Sequence, residues 1–333
     1  MVSAPRVRIQ VEAADAVERP CDVLVLKYAQ HAYGLDRSVL ARLGANGPST
    51  LPGPGEHIML RHPFGIAATA LVLLGTRELA EFGYREIREF GKRAVEVVAL
   101  GLPDFRELCF TLHGAGFGLD EREAFRAQVA GVLDGLTTMP SAAKLSIVTF
   151  LEWDDRRAER LTEALAELET ATSAPSTGML TASTLRPEAA ERLRTAGLDS
   201  DDRPHAFVAM PFGEAFDDVF HYAITRPVEN AGLLCERMDR SVFTGDVVET
   251  MKRRIREAQV VVADLSGSNP NVYLEVGFAW AAGVPTVLLC DGDSDPHFDV
   301  RGHRYLRYRS IREAERQLAR ELALLVPRDG RAR

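Results

Sequence analysis

Residues 259–289 read QVVVADLSGSNPNVYLEVGFAWAAGVPTVLL, and this stretch decides the fold. Val260, Val261, Val262 and Ala263 form an apolar run without polar alternation, the pattern of a strand buried on both faces of a parallel sheet. Ser266, Gly267, Ser268, Asn269 and Pro270 break it, and a helix is expected from Val272. A second apolar run, Thr286 to Leu289, follows the small-residue stretch Gly277 to Gly283. The unit is therefore strand, loop, helix, strand, with a right-handed crossover. Open α/β sheets bind ligands at the carboxyl ends of such strands, where helix amides favour anions. Glu275 is expected to reach this crevice from the first helical turn, and the bland alternative is an acid that only offsets the helix dipole.

Working outward, strand and helix signals alternate along the rest of the chain. Strands are expected at 22–26, 57–60, 70–74, 108–112 and 145–150, and helices at 36–43, 84–100, 121–136 and 155–168. Past residue 204, strands at 206–210 and 233–237 alternate with helices at 217–229 and 246–258, and an amphipathic helix at 311–325 closes the chain. Between them, 169–203 is rich in Thr, Ser, Ala and Pro around one short helix, 187–196, and reads as a linker. The expected architecture is two three-layer α/β domains: residues 1–168 on a mixed sheet and 204–326 on a doubly wound parallel sheet.

Composition narrows the function classes. The chain has 333 residues, 46% hydrophobic and 26% charged, with a formal charge of −8, which argues against general affinity for nucleic acid. The basic cluster Lys252, Arg253, Arg254 and Arg256 alternates with Glu249 and Glu257 and is read as a solvated helix face. The four cysteines are widely spaced beside apolar residues, as expected of small core residues in a reducing compartment. No histidine stands at metal-ligand spacing, so no metal is expected. Every apolar run falls far short of about 20 residues, so no membrane partner and a cytoplasmic location are expected.

Several motifs together carry a resemblance. Phe207-Val208-Ala209-Met210-Pro211-Phe212, Ala263-Asp264-Leu265, Asn269-Pro270-Asn271-Val272-Tyr273-Leu274-Glu275-Val276-Gly277 and Phe298-Asp299-Val300-Arg301 resemble the nucleoside 2-deoxyribosyltransferase-like superfamily, itself similar to the NAD-cleaving TIR domains. The resemblance covers 204–326. It implies that Glu275 attacks or stabilises an anomeric carbon, chemistry suited to a carboxylate facing an oxocarbenium-like transition state. It also implies a base-binding role for Asp246 and a lid formed by Met210, Phe212 and Gly213. Phe212 would stack on a base, or else cap the core. Asp264 would hold a ribose hydroxyl or the attacking water, the alternative being an Asx turn. Ser266, Gly267, Ser268, Asn269 and Asn271 would line a ribose or phosphate, though loop punctuation alone also selects such residues. The acid expected shortly before the glutamate is replaced by Asn269 or Asn271. Hydrolysis of a nucleotide with a cationic leaving base, such as NAD, needs no such acid.

In the first half, Ala14-Asp15-Ala16-Val17 before Asp22-Val23-Leu24-Val25-Leu26, and His113-Gly114-Ala115-Gly116-Phe117-Gly118, resemble a macro domain. That resemblance implies that Asp15 recognises adenine and that Gly114, Ala115, Gly116, Phe117 and Gly118 cradle a diphosphate; an ordinary Gly-rich turn is the alternative. The asparagine-rich segment of hydrolytic macro domains is replaced by Lys27-Tyr28-Ala29-Gln30, which favours binding over hydrolysis. The pairing is similar to bacterial antiviral effectors that join a nucleotide sensor to an NAD-consuming domain. The expected function is an N-glycosidase acting on NAD or a related nucleotide, with no cofactor, an ADP-ribose-like signal at the first domain, and self-association into a homo-oligomer. A non-catalytic nucleotide sensor or scaffold is the second reading, and a salvage transferase the third.

Overall fold

The computed structural model describes residues 7–115, 117–139, 142, 144–168, 179–180, 185–238 and 245–326. Its contacts divide the chain into two units, Met1–Gly114 with Arg122–Asp201, and Ala115–Glu121 with Asp202–Arg333.

The first unit carries strands β1 (Val7–Ala13), β2 (Val23–Tyr28), β3 (His57–Arg61), β4 (Ala70–Gly75), β5 (Glu107–Phe110), β6 (Ile147–Glu152) and β7 (Met179–Leu180). They form one mixed sheet in the order β3-β4-β2-β5-β6-β1-β7, parallel within and antiparallel at both margins, where β3 meets β4 and β7 meets β1. Its helices are α1 (Gly34–Leu43), α2 (Tyr84–Gly101), α3 (Glu121–Thr138), α4 (Asp155–Ala166) and α5 (Pro187–Thr195). Strand alternation separates two cores. Leu24, Leu26, Leu71, Leu73, Cys109 and Leu151 pack with Val39 and Leu43 of α1. Phe110 and Phe150 point the other way, with ring centroids 6.1 Å from Phe90 of α2 and 4.8 Å from Phe125 of α3 respectively. The short helix α5 belongs to this unit: Arg88 Nη1 donates to the carbonyls of Leu193, Arg194 and Ala196 at 3.0, 3.1 and 2.6 Å, satisfying the orphaned carboxyl end.

The second unit carries β8 (His205–Ala209), α6 (Glu214–Asp218), α7 (Arg226–Asn230), β9 (Leu234–Arg237), α8 (Gly245–Glu257), β10 (Val260–Asp264), α9 (Pro270–Ala281), β11 (Thr286–Asp291), β12 (Leu306–Tyr308) and α10 (Ile311–Leu325). All its strands are parallel in the order β12-β11-β10-β8-β9. The helical segments α6 and α7 are joined by a π-wound stretch, Val219–Thr225, and with α10 they cover one face, where Val219, Phe220, Ile224, Val228, Leu318 and Leu322 meet Val208, Val260 and Val262. Helices α8 and α9 cover the other face, where Met251, Ile255, Val272, Val276 and Ala279 meet Phe207, Val261 and Ala263. This is the expected three-layer, doubly wound sheet.

Three elements were not expected from the sequence. β1 alternates Val7, Ile9 and Val11 with Arg8, Gln10 and Glu12, the mark of a strand with unlike faces, and it lies beside β6. β12 is only three residues long and half polar, and β7 is a two-residue margin strand. The expected helix 217–229 begins earlier, at Glu214.

The basic face of α8 also needs correction. Lys252 pairs with Glu249 at 2.7 Å on the surface, but Arg254 turns inward to Glu236, a carboxylate that is fully buried on β9. His205 of β8 completes the cluster, with Nε2 2.9 Å from the Arg254 carbonyl and 3.6 Å from Glu236 Oε2. Burial first, and the Arg254 charge second, push the His205 imidazole down to about 4. Above the ordinary value of 6.5 both folded and unfolded chains hold it neutral; as pH falls below 6.5 only the unfolded chain gains the proton. Urea unfolding should therefore show a stability loss on the order of 3 kcal/mol developing between pH 6.5 and about 4, most of it abolished by His205→Gln.

Candidate functional site

In chain order the five parallel strands of the second unit lie second-first-third-fourth-fifth across the sheet. The connection leaving β8 passes over one face through α6 and α7, and the one leaving β10 passes over the other through α9. Between adjacent strands whose connections diverge, the loops part and leave a crevice at the carboxyl ends. Residues 210–213 leave β8 and residues 265–269 leave β10, so both loops read as ligand-lining border this switch point.

Around β8, Met210 is buried, while Phe212 is 36% exposed. Gly213 takes φ +124° to open α6, a conformation that side chains rarely adopt. Around β10, Asp264 is fully buried and both its oxygens are used. Oδ1 accepts the Ser266 N–H at 3.0 Å and the Ser266 hydroxyl, while Oδ2 accepts the Tyr308 hydroxyl at 2.9 Å. Ser266 Oγ in turn accepts the Asp291 N–H at 2.9 Å. Burial raises the Asp264 carboxyl, and these hydrogen bonds oppose the rise. Burial and the neighbouring Asp264 raise the Tyr308 phenol. The network ties the ends of β10, β11 and β12 together and holds the loop, which is the Asx-turn reading of Asp264. Tyr308→Phe should cost about 1–3 kcal/mol in urea unfolding, because a buried carboxylate loses a donor.

The loop differs from an open anion cradle. Gly267, at φ +70°, donates its N–H to Ser294 Oγ at 3.1 Å, and the Ser268 N–H goes to the Leu265 carbonyl at 3.1 Å. Asn269 is the N-cap of α9, its side chain accepting the Asn271 N–H at 2.9 Å. Four of the five residues expected to face a ribose or phosphate thus have polar groups engaged in holding the loop; Ser266, the fifth, is buried in the Asp264 network. A side chain at Gly267 would come within 3.3 Å of Phe216 in α6, so the two loop regions approach closely here.

Glu275 needs one correction. With Asn269 as N-cap and Pro270 first, Glu275 lies in the second turn, and α9 has no acid in its first turn. The dipole fades beyond the first turn, which weakens the bland alternative. Glu275 shares the inward stripe with Val272, Val276 and Ala279 and is 5% exposed. Carboxylates are buried on apolar helix faces only when paired or put to use. Asp246 lies at the start of α8, and its side chain is outside the described residues.

In the first unit, Asp15 follows β1 as an exposed residue, its Oδ1 accepting the Val17 N–H at 2.8 Å. Gly114 takes φ +86°, and Gly116 lies outside the described residues. Ala115, Phe117 and Gly118 belong to the second unit. Ala115 bridges Leu119, Phe117 pairs antiparallel with Met238, and the Gly118 N–H goes to the Arg237 carbonyl at 3.2 Å. Asp120 Oδ2 accepts the Cys235 N–H at 2.9 Å. Phe117, Gly118 and Asp120 thus meet the free side of β9, an edge whose unpaired backbone groups need partners.

Sequence reasoning missed Arg237 and Tyr308. Arg237 ends β9 with its guanidinium 4.4 Å from the Phe212 ring centroid and 4.2 Å from that of Phe220. A basic residue closing a strand was the available signal, but its aromatic partners are distant in sequence. Among the described residues no group of His, Cys, Asp or Glu is placed to hold a metal ion, and no helix is long and apolar enough to cross a membrane.

No family model and no curated protein matches the chain. Solved structures do. A Clostridium botulinum CMP N-glycosidase, BcmB, aligns at 18% identity and TM-score 0.30 over 35% of this chain and 98% of its own. An Oceanobacillus iheyensis macrodomain aligns at 14% identity and TM-score 0.36 over 50% of this chain and 93% of its own. A Trypanosoma brucei macrodomain in complex with ADP-ribose aligns at 13% identity and TM-score 0.37 over 47% of this chain and 69% of its own.

Proposed function

We propose that the second unit is a nucleotide N-glycosidase in which Glu275 serves the anomeric carbon, with NAD or a related nucleotide as substrate. The observation that carries this reading is a buried carboxylate on the helix that leaves the switch-point strand β10. As the glycosidic C–N bond breaks, its electron pair leaves with the nicotinamide and neutralises the cationic ring nitrogen, so no general acid is needed. The Glu275 carboxylate shields the oxocarbenium-like carbon or bonds to it; water then adds there and releases its proton to solvent. Asp264 supports this chemistry by fixing the loop, and Phe212 offers a ring face to the base. The first unit binds an ADP-ribose-like nucleotide through Asp15 and Gly114 and gates the glycosidase, in a nucleotide-responsive effector of the antiviral kind.

Purified protein incubated with NAD, NADP and deoxynucleosides, with and without ADP-ribose, tests the reading by chromatography of free base. Base released from NAD or NADP supports it, and release only from deoxynucleosides with transfer to a second base supports a transferase. Bound but intact nucleotide under every condition leaves a non-catalytic sensor. For the first unit, calorimetry with ADP-ribose should show Asp15→Ala weakening binding by about 1–3 kcal/mol, the cost of losing a polar partner. An unaltered isotherm would remove Asp15 from the site.

A further inference from the structure

We propose that Arg237 is a positioning residue that holds Phe212 over the switch-point crevice; its role in turnover rests on the glycosidase reading. The Arg237 guanidinium lies over two rings, 4.4 Å from the Phe212 centroid and 4.2 Å from the Phe220 centroid. Its edge meets Asp217 Oδ1 at 3.4 Å and Met210 Sδ at 3.7 Å. Every one of these partners belongs to the β8 loop or the helical stretch after it. A planar cation can offer both faces to aromatic rings and its edge to an acid at once; an ammonium cannot.

Phe220 and Arg237 are each fixed independently of Phe212. Phe220 belongs to the π-wound stretch Val219–Thr225, whose wide turn is closed by the Thr225 hydroxyl donating to the Phe220 carbonyl at 3.0 Å. Its ring packs into the core beneath α10. The Arg237 backbone is held by the Gly118 N–H at 3.2 Å, with Phe117 paired to Met238 and Asp120 to the Cys235 N–H. Phe212 is the exposed member, in a loop that passes through Gly213 at φ +124°. The rigid pair Arg237 and Phe220 therefore sets where the exposed ring sits. That ring borders the crevice, so its placement governs how tightly a base is held more than how fast the bond breaks.

The experiment uses the full chain with Arg237→Lys, which keeps the charge and loses the planar stack. Hydrogen exchange read by mass spectrometry should rise on the order of tenfold in peptides covering 211–216, with β8 and β10 unchanged. Phe212→Leu, at an exposed position that the fold tolerates, should produce the same local rise even if Arg237→Lys fails to fold. In NAD turnover both variants should raise KM on the order of tenfold with kcat within about twofold, and the double variant should equal Phe212→Leu alone. Unchanged exchange at 211–216, or KM effects that multiply in the double variant, would overturn the proposal. Because exchange needs no ligand, a protein that releases no base would sink the glycosidase reading and leave this test standing.

Discussion

Glu275→Gln is expected to lower base release by at least about a thousandfold while the protein stays folded. Glutamine keeps the size of the side chain and its hydrogen-bonding oxygen, so the inward stripe of Val272, Val276 and Ala279 remains packed. What is lost is the negative charge, the one property an oxocarbenium-like carbon requires. The loss should fall on kcat and kcat/KM alike, since the charge matters in the transition state and little in the bound substrate. A variant with wild-type kcat would remove Glu275 from the chemistry. A variant that no longer folds would instead assign it to the core.

Arg254→Met is expected to destabilise the second unit by about 3–5 kcal/mol, the largest stability effect anticipated here. It removes the guanidinium that pairs with Glu236, a carboxylate fully buried on β9 beside His205, and desolvated ion pairs are costly to break from one side. Urea titration at constant slope should report the loss as a lower midpoint. Adding Glu236→Leu removes the buried carboxylate as well and should recover most of the loss, because replacing both members of a buried pair with apolar groups is often near neutral. If the double variant is as unstable as Arg254→Met, lost packing by the arginine stem is responsible instead.

The two halves of the site differed in how far they could be read from sequence. The unit β10, α9, β11 was legible because both its strands are buried on two faces and write themselves as unbroken apolar runs, although α9 starts at Pro270 with Asn269 as its cap, two residues before the expected Val272. Its loop was legible only as a choice between two readings. Ser, Gly and Asn suit a ligand and a tight turn equally, and only geometry reveals that Gly267 and Asn269 direct their polar groups inward. The same ambiguity applies to the loop after His113, where Gly118, expected to approach a diphosphate, donates its N–H to the edge strand β9.

The switch point itself lay beyond sequence, since it depends on β8 joining β10 rather than β9 alone. Tyr308 stayed hidden because Leu306-Arg307-Tyr308 is too short and polar to announce a strand. Arg237 stayed hidden because a cation over aromatic rings has no periodicity to betray it. β1 was different: its alternation of Val7, Ile9 and Val11 with polar residues was available to be read.

A crystal structure of Glu275→Gln with NAD would test the central claim most directly. The nucleotide is expected at the carboxyl ends of β8 and β10, its nicotinamide ribose carbon within about 3.5 Å of the residue 275 side chain. A nucleotide bound with that carbon far from residue 275, or bound only in the first unit, would contradict it.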